Sequence, residues 1–191
     1  MISRVESAAM TRRALLDAAA DLLDAGGPDA VTLREVGARA GVTRGAPYRH
    51  FPDKDSLLTT VAAEALDRLA DQVRAVQAEP RLSPAERLER ALFALMAIGR
   101  SRPHLYRLMF AAPAGDEAAI RAATRAADRA MDGLLALVGE LIGAERARPV
   151  AALLLTSVHG ITDMEVSGHL TADKWHTTAD ELVSTLVSMI V

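Results

Sequence analysis

Residues 41–58 read GVTRGAPYRHFPDKDSLL, and the order of residue types in this stretch decides the fold. Gly41 closes a short run in which Leu33, Val36 and Ala40 fall on one helical face. A glycine there can take the left-handed conformation that a tight corner between two helices needs. Thr43 stands where a hydroxyl would cap a third helix, which runs out near His50-Phe51-Pro52. Thr32, with Glu35 three residues on, has the form of a capping box for the second helix. The spacing therefore predicts two short helices joined at Ala40-Gly41-Val42, with Val42 tucked under the turn and Phe51 in the core. Pro47 is the irregular residue. If Thr43 is the cap, Pro47 lies past the first turn and removes a backbone hydrogen bond. Either the helix is distorted there or its cap lies a residue or two further on.

The flanking sequence is helical too. Leu15, Leu16, Ala19, Leu22 and Leu23 make one face of a first helix, which Gly26-Gly27-Pro28 stops. Asp53 caps a longer helix, with a seam of Leu57, Leu58, Val61, Ala62, Ala65, Leu69, Val73 and Val76, ahead of Pro80. From Asp53 to Ala78 it would span roughly 39 Å at 1.5 Å per residue, enough to link two domains. Ser83-Pro84-Ala85-Glu86 opens a helix to about Ser101, Pro103 restarts one through Phe110, and Pro113-Ala114-Gly115 breaks the chain. A long amphipathic segment runs from Asp116 to about Ile142, and 143–148 reads as a connection. Pro149 then starts a helix to about Leu170, and Thr171 caps the last one. No segment alternates as a strand does, aromatics make up 3% of the residues, and alanine and leucine abound, so the fold class is all-α.

Half of the 191 residues are apolar and a quarter are charged, as in globular proteins and unlike disordered chains. The absence of cysteine removes disulfides, thiolate metal sites and cysteine nucleophiles, and fits a cytoplasmic protein. The opening residues lack the apolar core of a secretory signal, and no apolar run is long enough to span a bilayer. The formal charge of −3 is unevenly spread. Residues 1–54 carry eight Lys and Arg against seven Asp and Glu; from Thr32 to Lys54 the balance is five against two. A small basic face on an acidic chain is what one phosphate-contacting element requires.

Two short helices with a glycine corner form a helix-turn-helix, a unit that also occurs as plain packing. The residues after the corner are more specific. The stretch GVTRGAPYRHFPDKDSLL, with Tyr48, His50 and Phe51 in tyrosine–x–histidine–phenylalanine order and Lys54 opening the next helix, resembles the DNA-binding domain of the tetracycline-repressor-like (TetR) family. The likeness extends over Thr11 to Lys54. It implies an all-α homodimer whose second motif helix enters the major groove, with a larger C-terminal domain that binds a small molecule and releases the DNA. Thr32 and Thr43, at helix N-termini, suit phosphate oxygens as well as capping. Arg34 matches a family position that can reach a base edge, its other reading being a solvated surface charge. Arg44 is the candidate for direct readout of guanine. Gly45 and Ala46 allow close approach, the Ala46 methyl being able to meet thymine. The resemblance gives Tyr48 and His50 phosphate or groove contacts, and Arg49 and Lys54 would touch phosphates.

The expected organisation is a DNA-binding domain over residues 1–54 and a helical ligand-binding and dimerisation domain over 55–191. Stripes at Val150, Leu154, Val158 and Ile161, and at Leu182, Val183, Leu186 and Ile190, are the expected dimer interface; intramolecular core is the other reading. Dimerisation also suits a palindromic operator, because paired half-sites need paired motifs. Phe93, Met96, Tyr106, Met109, Phe110 and Met131 are the larger or more adaptable side chains available to an apolar or aromatic effector. His159-Gly160 followed by Asp163 and Glu165 resembles a subgroup signature, with Leu155 where that subgroup has tryptophan. His159, Asp163, Glu165 and His169 lie close enough in sequence for a metal site, but capping and interface hydrogen bonds are the expected use. No cofactor is expected, and no catalytic triad, phosphate loop or carboxylate pair stands out. The rival readings are a helical small-molecule-binding protein or enzyme in which residues 1–54 are only structural, an adaptor for an acidic partner, and a DNA binder without an effector.

Overall fold

The computed structural model describes residues 3–190, and among these the regular structure is helical throughout. The order is α1 (Arg4–Gly26), a 3-10 turn (Pro28–Ala30), α2 (Leu33–Arg39), α3 (Ala46–His50), α4 (Lys54–Gln77) and α5 (Pro84–Ser101). These are followed by α6 (Pro103–Met109), α7 (Glu117–Ile142), α8 (Ala144–Val166), α9 (Ala172–Trp175) and α10 (Ala179–Ser188). Local chemistry explains most boundaries. Ser83 and Glu86 exchange hydrogen bonds as a capping box with Pro84 at the first helical position. Asp116 Oδ1 accepts from Ala119 N at 2.7 Å, and Asp53 Oδ1 from Ser56 N at 2.7 Å.

Two boundaries in the C-terminal half differ from the sequence expectation. The α7–α8 connection is Gly143 alone, with φ +84°, and its N–H donates to the Gly139 carbonyl. The helix therefore begins at Ala144 and holds Pro149 inside it. Good helix formers precede the proline, and Ala147 among them is buried, which offsets the bond that Pro149 cannot donate. Beyond α8, Thr171 precedes only the single turn of α9, which His176 ends at φ +51°. The last helix opens at Thr178, in a full capping box with Glu181.

The chain folds as two compact units, Met1–Leu66 with His104–Ala126, and Asp67–Pro103 with Ala127–Val191. The first unit centres on Leu15, Leu23, Val31, Val36, Phe51 and Leu57, each 0–2% exposed. Ala63 of α4 packs with Ala123 and Ala126 of α7 in a smaller cluster, where short side chains let helices approach. The loop before α7 is fastened to the start of α4. Ser56 Oγ accepts from Asp116 N at 2.8 Å, and Thr59 Oγ1 donates to the Ala114 carbonyl and accepts from its N–H. A Cβ on Gly115, at φ +97°, would lie 2.4 Å from Ser56 N, so only glycine fits.

The second unit packs α5, α8 and α10 against one another around Leu88, Leu92, Met96, Leu137, Val138, Val158 and Val183. Arg100 of α5 ties these helices together. Its guanidinium holds Glu165 through two bonds, of 2.7 and 2.9 Å, and also pairs with Asp180.

Candidate nucleic-acid interface

The corner after α2 is closed by backbone geometry. Thr32 Oγ1 accepts from Glu35 N at 3.1 Å, which caps the helix start. At the other end Gly41 N donates to the Ala38 carbonyl and Val42 N to the Gly37 carbonyl, with Gly41 at φ +67°. This pair of bonds is a Schellman closure, and it requires the left-handed residue that glycine supplies. Val42 is half-buried beneath the turn.

Helix α3 begins at Ala46, two residues later than capping by Thr43 would place it. Thr43 accepts instead through its carbonyl, from Ala46 N at 2.8 Å, and Gly45 occupies the cap position. Pro47 explains the shift. At the second helical position its missing N–H is no loss, whereas deeper in the helix it would be. Pro47 is buried, and a Cβ on Gly37 would lie 2.7 Å from its Cγ. Gly37 is therefore what lets α2 and α3 cross so closely. Pro47 is not a near neighbour of Gly37 in the chain, so the sequence alone does not single out the contact.

Arg34, Arg44 and Tyr48 line one open depression of about 580 Å³, floored by Gly37, Ala38 and Val42. Tyr48 is 58% exposed although aromatic. Arg44 and Gly45 lie in the turn just ahead of α3, and Arg49 is exposed on it. Thr32 and Thr43 are exposed beside this face, and His50 and Lys54 are half-buried at the α3–α4 junction. Arg34, Arg44, Arg49 and Lys54 form no ion pair among the described residues, whereas Arg39 is held by Asp21 at 3.3 Å. Ala46 requires a correction. It is 3% exposed, so its methyl packs into the first unit and cannot meet a thymine.

Asp53, between α3 and α4, has its carboxyl held below the usual range because the carboxylate accepts the Ser56 amide. Arg12 of α1 was another silent position in the sequence. Its Nη1 donates to the His50 carbonyl at 3.2 Å, and its guanidinium lies 4.5 Å from the centre of the Phe51 ring.

The C-terminal candidates are distributed between the units. Tyr106, Met109 and Phe110 belong to the first, with the Tyr106 and Phe110 rings 5.1 Å apart; Phe93, Met96 and Met131 belong to the second. Tyr106, Met96 and Met109 are buried, Phe93 and Met131 half-buried, and Phe110 exposed. The expected dimer stripes are split. Leu154, Val158 and Val183 lie in the second unit's own core, at most 2% exposed, and so do not reach a partner. Val150, Ile161, Leu182, Leu186 and Ile190 are half-buried, and Leu153 is 64% exposed. Glu165 is committed to Arg100, and the His169 imidazole Nδ1 lies 2.9 Å from Ser167 Oγ. Among the described residues no three His, Asp or Glu side chains converge as metal ligands.

Comparison with known proteins bears directly on this arrangement. Residues 15–61 match the model of bacterial regulatory proteins of the tetR family, and residues 88–190 match that of the tetracyclin repressor-like C-terminal domain. The transcriptional repressor Rv3405c of Mycobacterium tuberculosis is 40% identical over 80 residues, which is 41% of this chain and 39% of that protein. The repressor KstR of Rhodococcus jostii is 31% identical over 125 residues, covering 65% of this chain and 58% of KstR. The matched stretches thus span less than two thirds of either relative. A Rhodococcus protein of unknown function superposes with a TM-score of 0.80 at 25% identity, covering 94% of this chain and 93% of its own. With one family model across its helix-turn-helix and a second across more than half its length, the chain belongs to the TetR family.

Proposed function

We propose that this protein is a DNA-binding transcriptional regulator, a repressor that holds a palindromic operator as a homodimer and lets go when a small apolar or aromatic effector binds. The observation that carries the DNA-binding half is the exposed face of α2 and α3. Four cations on or beside it, Arg34, Arg44, Arg49 and Lys54, form no ion pair among the described residues, and two of them share a depression with an exposed tyrosine. Unneutralised arginines beside helix N-termini are suited to phosphate oxygens, and a bidentate arginine to guanine. Thr32, Arg34, Thr43, Arg44, Gly45, Tyr48, Arg49, His50 and Lys54 are the contact set; Ala46 leaves it because it is buried.

The effector half rests on α4 and on the family. This helix is unbroken from Lys54 to Gln77, so its first part belongs to the DNA-binding unit and its last part to the second unit. Displacement of α4 by an effector would change the spacing of paired recognition helices and lower operator affinity. The partner subunit is met by the half-buried side chains of α8 and α10. The site of action is the cytoplasm, and the role is regulatory, not enzymatic.

Selection of bound sequences from random DNA, followed by titration of the selected duplex at several salt concentrations, tests the reading. A palindromic site and a linear fall of log affinity with log salt are the expected results. No enrichment, or an affinity independent of salt, would overturn it.

A further inference from the structure

The geometry points to Arg12 as a positioning residue for the recognition helix, acting through Phe51 and the last carbonyl of α3 and not by touching DNA. This inference rests on the DNA-binding reading of α3. With five residues, Ala46–His50, α3 is far too short to hold its shape alone. One end is fixed by Pro47 against Gly37. At the other end the His50 carbonyl is one of the acceptors that a helix terminus leaves without an intrahelical donor. Arg12 Nη1 supplies that donor from α1, 38 residues away in sequence. The bond is charge-assisted, and the cation sits at the negative end of the helix dipole. The same guanidinium covers the face of Phe51, the buried residue that ends α3, at 4.5 Å. A planar cation can stack and donate at once, which the point charge of lysine cannot. Tyr48 and Arg49 ride on the helix so fixed.

Neighbouring Arg13 makes a matched control. It pairs with Asp17 of its own helix and with Glu64 of α4 at 2.9 Å, and has no bond to α3. Arg12→Ala and Arg13→Ala are to be compared well below their melting temperatures, with two readouts. In hydrogen exchange without DNA, Arg12→Ala should speed exchange of the Phe51 amide, which donates to the Pro47 carbonyl, about tenfold more than Arg13→Ala does, the size of one charge-assisted hydrogen bond. In operator titrations, Arg12→Ala should weaken binding about tenfold per half-site while the slope of log affinity against log salt stays as in wild type. Arg13→Ala should bind within about threefold of wild type, as removal of an exposed pair allows.

Unchanged exchange at Phe51 overturns the proposal whether or not the protein binds DNA. Wild-type affinity in Arg12→Ala does so as well. A slope reduced by about one per half-site would make Arg12 a direct phosphate ligand, which also overturns it. A wild-type protein that binds no DNA sinks the regulatory reading alone, and the exchange comparison still decides the role of Arg12 in α3.

Discussion

Gly37 has room for a hydrogen and nothing larger, because the Pro47 ring fills the space where a Cβ would be. Gly37→Val should cost about 1–3 kcal/mol, the usual penalty of overpacking, and should weaken operator binding by displacing α3. Chemical denaturation of Gly37→Ala against the double variant Gly37→Ala, Pro47→Ala checks the cause. If Pro47 is the obstacle, the second substitution recovers much of what the first loses; simple additivity would refute it. Arg44 is expected to behave differently. It is exposed and makes no ion pair, so Arg44→Ala should leave the melting temperature within about a degree. It should relax specificity at one operator base pair by about 1–3 kcal/mol, measured by competition between single-base variants.

At the scale of the element, the helix caps carry the acid sensitivity of the fold. Glu6, Asp53, Glu86 and Glu181 all have carboxyls held below their ordinary values, each first by the backbone amide it accepts from. In the unfolded chain these groups take up protons at about pH 4, while the folded chain resists protonation. Their stabilisation is therefore present above about pH 4 and is lost as the pH falls through the lower folded values. The urea midpoint should be flat from about pH 7 to 5 and decline below about pH 4. Asp53→Asn keeps a good cap without the titration, so its midpoint should fall less steeply over that range. An equal fall in both proteins would remove Asp53 from the account. These elements were largely legible, since a cap joins residues three apart. The exceptions were α3 and α8, where proline reads as a local stop although Pro47 packs on Gly37 and Pro149 lies inside its helix, and the last helix, which Thr178 caps in place of Thr171.

At the scale of the whole molecule, the α8 and α10 stripes separate into an inner and an outer row. Ile161→Glu with Leu186→Glu, both half-buried, should yield a helical monomer by sedimentation and loss of cooperative operator binding. Val158→Asp, at 0% exposure, should instead unfold the second unit, because an unpaired charge would be buried. A folded dimer carrying the double Glu substitution would show that the interface lies elsewhere.

The helical character of the chain, the glycine corner at Gly41 and the caps at Thr32, Asp53 and Ser83 were determined by the sequence itself. Each depends on backbone conformation or on a hydrogen bond between residues a few positions apart, and residue type carries that information. Tertiary structure decided what depends on distant partners. It placed the start of α3 through Pro47 on Gly37, and assigned Arg12 to a carbonyl 38 residues away. It also buried Leu154 in the second unit's core and left its neighbour Leu153 at the surface. An apolar stripe records only that a face avoids water. Which neighbour covers that face is fixed when the helices pack, because the hydrophobic effect is non-directional.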